Sequence, residues 1–81
     1  MTQELQQQIR LADNINTRIR QARTSRGYSH DQLGHLIGGV SRQHLIKLEA
    51  GKHRPRASML QRIAEATGQP IDWFLNGKDG S

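Results

Sequence analysis

Cysteine is absent from this 81-residue chain. That excludes a disulfide framework and any thiolate metal centre. The four histidines, His30, His35, His44 and His53, match no familiar zinc spacing, so no metal and no cofactor are expected. Proline occurs only at positions 55 and 70, and the aromatic residues are Tyr28, Trp73 and Phe74 alone. No apolar run approaches the ~18 residues of a membrane span. The opening stretch MTQELQQQIRLADN is polar and lacks the apolar core of a secretory signal. A soluble cytoplasmic protein is the expectation. Glycine-rich phosphate loops and nucleophile–base pairs are missing as well, and so short a chain leaves little room for a pocket, so no enzyme is expected.

What is present is positive charge. Twelve Lys and Arg against seven Asp and Glu give +5, with a pI near 10.8. Residues 14–30 carry Arg18, Arg20, Arg23 and Arg26 with no acid; residues 41–56 carry Arg42, Lys47, Lys52, Arg54 and Arg56 against Glu49. The three remaining stretches are each weakly acidic. A small domain with its cations in two blocks points to a polyanion, with nucleic acid ahead of a membrane surface, for which large apolar anchors are lacking.

Apolar residues recur at spacings of three and four, and the alternation of a half-buried strand is absent. The pattern predicts an all-α bundle of about five short helices. Leu5, Ile9 and Ala12 form a stripe in an N-terminal helical extension or arm, residues 1–13; either Asp13 caps a separate helix after it, or the stripe runs on through Ile15 and Ile19 as one helix. Ile15, Ile19 and Ala22 line that helix, which stops at Gly27. Ser29 reads as an N-cap with Gln32 at capping-box spacing, and Leu33, Leu36 and Ile37 form the inner face of a helix over 30–37. Gly38-Gly39 ends it. Ser41 caps a helix over 42–50 that buries Leu45 and Leu48 and closes at Gly51. Leu60, Ile63 and Ala64, with Met59 beside them, serve the core from residues 57–67. Ile71, Phe74 and Leu75 cover its bottom from a short helix that starts at Pro70. The main unit is expected over residues 14–77, with a loose tail at 78–81. Two short helices joined by about four residues make a helix-turn-helix arrangement.

Residues 19–75 then resemble a known family. Ser29-x-x-x-Leu33-Gly34-x-x-Ile37 is followed by Gly39-Val40-Ser41-Arg42-Gln43-x-Leu45-x-x-Leu48-Glu49-x-Gly51. Pro55, Leu60-x-x-Ile63-Ala64-x-x-x-Gly68 and Ile71-Asp72-Trp73-Phe74-Leu75 complete the pattern. This ordered set is similar to the lambda-repressor-like helix-turn-helix domain of the Cro/C1 type, the XRE family. Four departures stand out: a second glycine in the turn, Gly34 in place of the usual alanine, His30 in place of a frequent glutamine, and Arg56 in place of a serine cap. Residues 1–12 lie outside the resemblance.

The resemblance implies a sequence-specific regulator of transcription, most often a repressor of phage or prophage type, with helix 42–50 in the major groove of a double-stranded DNA operator. Arg42, Gln43, Ile46 and Lys47 would meet base edges. Arginine can grip guanine and glutamine adenine by paired hydrogen bonds. Ile46 would meet a thymine methyl or stand as a stray apolar residue. Ser29, His30, Ser41, His44, Lys52, His53, Arg54 and Arg56 would meet the backbone, with Arg56 also suited to a narrow minor groove. For His30 a solvated side chain is the alternative. Arg18, Arg20 and Arg26 are weaker phosphate candidates. Arg23 and Glu49 would form a structural ion pair under the motif. An antitoxin of the same fold, which binds a toxin protein and regulates its own gene, is the second reading. A homodimer through residues 71–76 or the N-terminal stripe, a monomer, and a further C-terminal oligomerisation domain all stay open.

Overall fold

Ile19 and Ala22 lie three residues apart on the first helix, and both are fully enclosed. That spacing turns one stripe of α1 (Ile15–Ser25) inward and leaves Arg20, Gln21 and Thr24 in solvent. The structure, a computed structural model, describes residues 15–76. The stripe of Leu5, Ile9 and Ala12, the Asp13 cap and the 78–81 tail fall outside the described residues.

Four further helices follow: α2 (His30–Leu36), α3 (Arg42–Glu49), α4 (Ala57–Thr67) and α5 (Ile71–Asn76). α2 begins at a complete capping box. The Gln32 amide donates to Ser29 Oγ at 3.1 Å, and the Ser29 amide donates to Gln32 Oε1 at 2.8 Å. α3 begins at a single side-chain cap, with the His44 amide donating to Ser41 Oγ at 3.2 Å. Each hydroxyl satisfies a first-turn amide that no carbonyl of its helix can reach. α4 starts at Arg56 without a side-chain cap and stops at Gly68.

The turn between α2 and α3 runs through residues 37–41, one residue longer than expected. Gly38 and Gly39 both have positive φ, at 102° and 90°. Side chains disfavour that backbone region, and glycine enters it freely. The curl lets the amides of Gly39 and Val40 both donate to the Gly34 carbonyl, at 2.8 and 2.9 Å.

α1 packs on α3, α4 and α5, and α2 packs on α3 and α4. The shared core is Ile19, Ala22, Leu33, Ile37, Leu45, Leu48, Leu60, Ile63, Ala64 and Phe74. Ile15, Tyr28, Val40, Met59, Ile71 and Trp73 pack around it. Trp73 meets Phe74 edge to face, with ring centroids 5.0 Å apart.

Two inward assignments are corrected. Leu36 is 53% exposed and Leu75 50% exposed. Leu33 of α2 and Ile37 just past its end lie one turn apart on the inward line, and Leu36 is rotated off it. α5 has fewer than two turns and sends only Phe74 fully inward, so its neighbour Leu75 points to solvent.

Candidate nucleic-acid interface

α3 has two unlike faces. Leu45 and Leu48 are fully buried, whereas Arg42, Gln43, Ile46 and Lys47 are exposed. Ile46 is 44% exposed. The segment after α3 carries Lys52, His53, Arg54 and Arg56, all exposed, and brings the last three against His44 of α3. Among the described residues none of Lys47, Lys52, Arg54 and Arg56 forms an ion pair. The His44 and His53 rings stack at 5.7 Å with 20° between their planes. Together with Arg54, Pro55, Arg56 and Met59 they line a hollow between α3 and the start of α4.

The basic segment is anchored from α1. The Asn16 side-chain amide donates to the carbonyl of Leu48 and, at 3.1 Å, to that of His53. Backbone bonds from Gly51 to Leu48 and from Lys52 to Lys47 close the intervening turn.

Arg23 of α1 is directed at the end of α3. Its Nε donates to Glu49 Oε2 at 2.7 Å and its Nη2 to Oε1 at 3.1 Å, while Nη1 donates to the Tyr28 carbonyl at 2.8 Å. Side-chain exposure is only 11% for Arg23 and 7% for Glu49. His30 Nε2 lies 3.2 Å from Glu49 Oε1. The His30 ring thus sits beside Glu49 with 27% of its side chain still exposed.

A second pair joins the two helices of the motif. Arg42 Nε donates to Asp31 Oδ1 at 3.2 Å, and Nη2 donates to Oδ2. The hydrogen bond from Arg42 holds the Asp31 carboxyl below the usual carboxylate range; slight desolvation opposes this, and the charges of Arg42 and His30 add to it. The same hydrogen bond raises the Arg42 guanidinium above its ordinary value. Ser29 and Ser41 keep their hydroxyl hydrogens, because each oxygen serves its cap as an acceptor.

Sequence reasoning passed over Asn16 and Asp31. Asn16 gives no local signal, since both of its acceptors lie more than thirty residues away. Asp31 did leave one, as the only acid between residues 14 and 48. Among the described residues there is no cluster of three or more metal-ligating side chains and no helix long and apolar enough to cross a membrane.

A bundle whose second and third helices meet across a tight turn, with the third helix displaying polar and basic residues, defines a helix-turn-helix protein. The Helix-turn-helix family matches residues 19–74. An uncharacterized HTH-type transcriptional regulator of Sinorhizobium medicae is 34% identical over 83% of this chain and 48% of its own length. An uncharacterized transcriptional regulator from the ATPase CF(0) region of Rhodospirillum rubrum is 40% identical over 78% of this chain and 57% of its own. An uncharacterized HTH-type transcriptional regulator of Methanothermobacter thermautotrophicus is 35% identical over 83% of this chain and 99% of its own. The chain thus spans about half the length of the first two relatives and nearly all of the third. Among solved structures, the P22 c2 repressor protein in complex with synthetic operator 9T superposes with a TM-score of 0.73 at 25% identity, over 80% of this chain and 97% of that one. The chain belongs to the lambda-repressor-like, Cro/C1-type helix-turn-helix family.

Proposed function

We propose that this chain is a sequence-specific, double-stranded DNA-binding regulator of transcription that represses by occupying an operator. The observation that carries the reading is the exposed row Arg42, Gln43, Ile46 and Lys47 on α3, flanked by the basic segment 52–56. In the proposed complex α3 enters the major groove and these four residues meet base edges. Ser29, Ser41, His44, Lys52, His53, Arg54 and Arg56 meet sugar and phosphate, which positions the protein without reading sequence. His30, with its Nε2 beside Glu49, belongs to the same backbone set, and Arg23 with Glu49 holds α3 from below. The likeness to a repressor bound to its operator supports the repressor output.

The test is selection from a random duplex library, followed by footprinting of the selected site across a salt series. The expected result is one enriched motif, with log K falling steeply in log salt for ~4–8 neutralised phosphates per protomer. An affinity that barely changes with salt, or a library returned without enrichment, overturns the reading.

A further inference from the structure

We propose that Asp31 is a positioning residue that aims the Arg42 guanidinium at a guanine. The proposal rests on the DNA-binding reading and adds the base that one position of the site requires.

Arg42 opens α3, and Asp31 is the second residue of α2. Their contact is bidentate and uses the side edge of the guanidinium, Nε and Nη2. A guanidinium carries five N–H donors. The carboxylate takes two and leaves the end-on edge, with one N–H from each Nη, directed away from the pair. That edge matches guanine O6 and N7, the two acceptors on the major-groove side of a G·C pair. Both side chains are about 60% exposed, so a base edge can approach.

The location of the carboxylate calls for a reason. Asp31 is the only acid between residues 14 and 48, on the side of the molecule where α2 and α3 begin. A bare carboxylate there repels phosphate, and an exposed ion pair adds little to folding. Aiming a long, flexible side chain answers both points. Binding then starts from an ordered Arg42, and the fork meets its base without searching rotamers.

A positioning role and a plain surface charge predict opposite results. Removing a surface carboxylate strengthens binding to all DNA alike. Removing a positioning carboxylate lowers discrimination at one base pair while general affinity holds or rises. The experiment is selection of random duplexes by the full chain and by its Asp31→Ala, Asp31→Asn and Arg42→Ala variants, with affinity for unrelated genomic DNA measured alongside. Thermal melts confirm that each variant is folded. Wild type is expected to enrich guanine at one position, and Arg42→Ala to lose it. Asp31→Ala should lower that guanine preference about tenfold while keeping the rest of the motif. Asp31→Asn should fall between, since its single carbonyl oxygen can still accept one bond.

Full guanine preference in Asp31→Ala overturns the proposal, as does a guanine preference that survives Arg42→Ala. Either result leaves the regulator reading standing. A wild-type chain that enriches no sequence overturns both.

Discussion

The carbonyl oxygen of Val40 lies only 2.1 Å from where a β-carbon on Gly34 would stand. The Gly34 carbonyl in turn accepts the amides of Gly39 and Val40. The turn folds back onto α2, and the missing side chain at position 34 makes room for it. Two departures from the family pattern are therefore one structural arrangement.

Gly34→Ala should destabilise the protein although alanine favours helix by ~1 kcal/mol. The new methyl meets backbone, which cannot rotate aside as a side chain can. Net losses of ~1–3 kcal/mol are expected from such overpacking. Thermal melts should show a clear drop in midpoint, and a rise would contradict the geometry.

Arg23 and Glu49 should be energetically coupled. Removing Glu49 leaves a largely enclosed guanidinium with only the Tyr28 carbonyl, and removing Arg23 leaves an enclosed carboxylate with only His30. A double-mutant cycle in urea should give coupling above ~0.5 kcal/mol. Arg23→Lys should recover little, because one ammonium cannot reproduce three directed bonds.

The Asp31 carboxyl should titrate below the usual aspartate range because Arg42 hydrogen-bonds it. A carboxyl with a lowered folded-state pKa adds stability above its unfolded pKa and loses it as pH falls through the folded value. The increment is small, because the pair is exposed. Carboxyl NMR shifts followed from neutral to acid pH should give a depressed midpoint in wild type. In Arg42→Ala the midpoint should move back up.

The segment after α3 should contribute affinity without sequence preference. Arg54→Ala and Arg56→Ala should each weaken binding to operator and scrambled DNA alike, and each should flatten the salt slope by about one unit. Undiminished binding by the double mutant would place this segment away from DNA. A preference of wild type over Arg56→Ala for A·T pairs would add a minor-groove contact.

Gln43→Ala should behave in the opposite way. Its side chain is exposed on α3, so folding should stay near wild type. Operator affinity should fall about tenfold while binding to scrambled DNA barely changes. Equal losses on both DNAs would make Gln43 a phosphate contact.

The helices were legible in the sequence because their signals are local. Ser29 and Ser41 mark two starts, Gly27 and Gly68 mark two stops, and residues such as Leu45 and Leu48 sit one turn apart. Leu36 and Leu75 misled for a physical reason. On a helix of one or two turns, neighbouring apolar residues fit the inward stripe about equally well, and the crossing angle of the packed helices decides between them. Candidate interface residues were legible as charge placement, since the cations of 41–56 lie on or beside one helix. The tethers were not. Asn16 to Leu48 and His53, His30 to Glu49, and Asp31 to Arg42 join residues brought close only by tertiary packing. No spacing rule along the chain encodes them.

The amide of Asn16 has a consequence for the timing of entropy loss. By holding the carbonyls of Leu48 and His53 at once, it makes the basic segment part of the α1 scaffold. Ordering those residues costs roughly 1–2 kcal/mol of backbone freedom each. With the tether in place, that cost falls on folding, before any partner arrives. A polyanion that docks on Lys52, His53 and Arg54 then meets a surface already set, and the strength of the complex reflects contacts made more than motion lost.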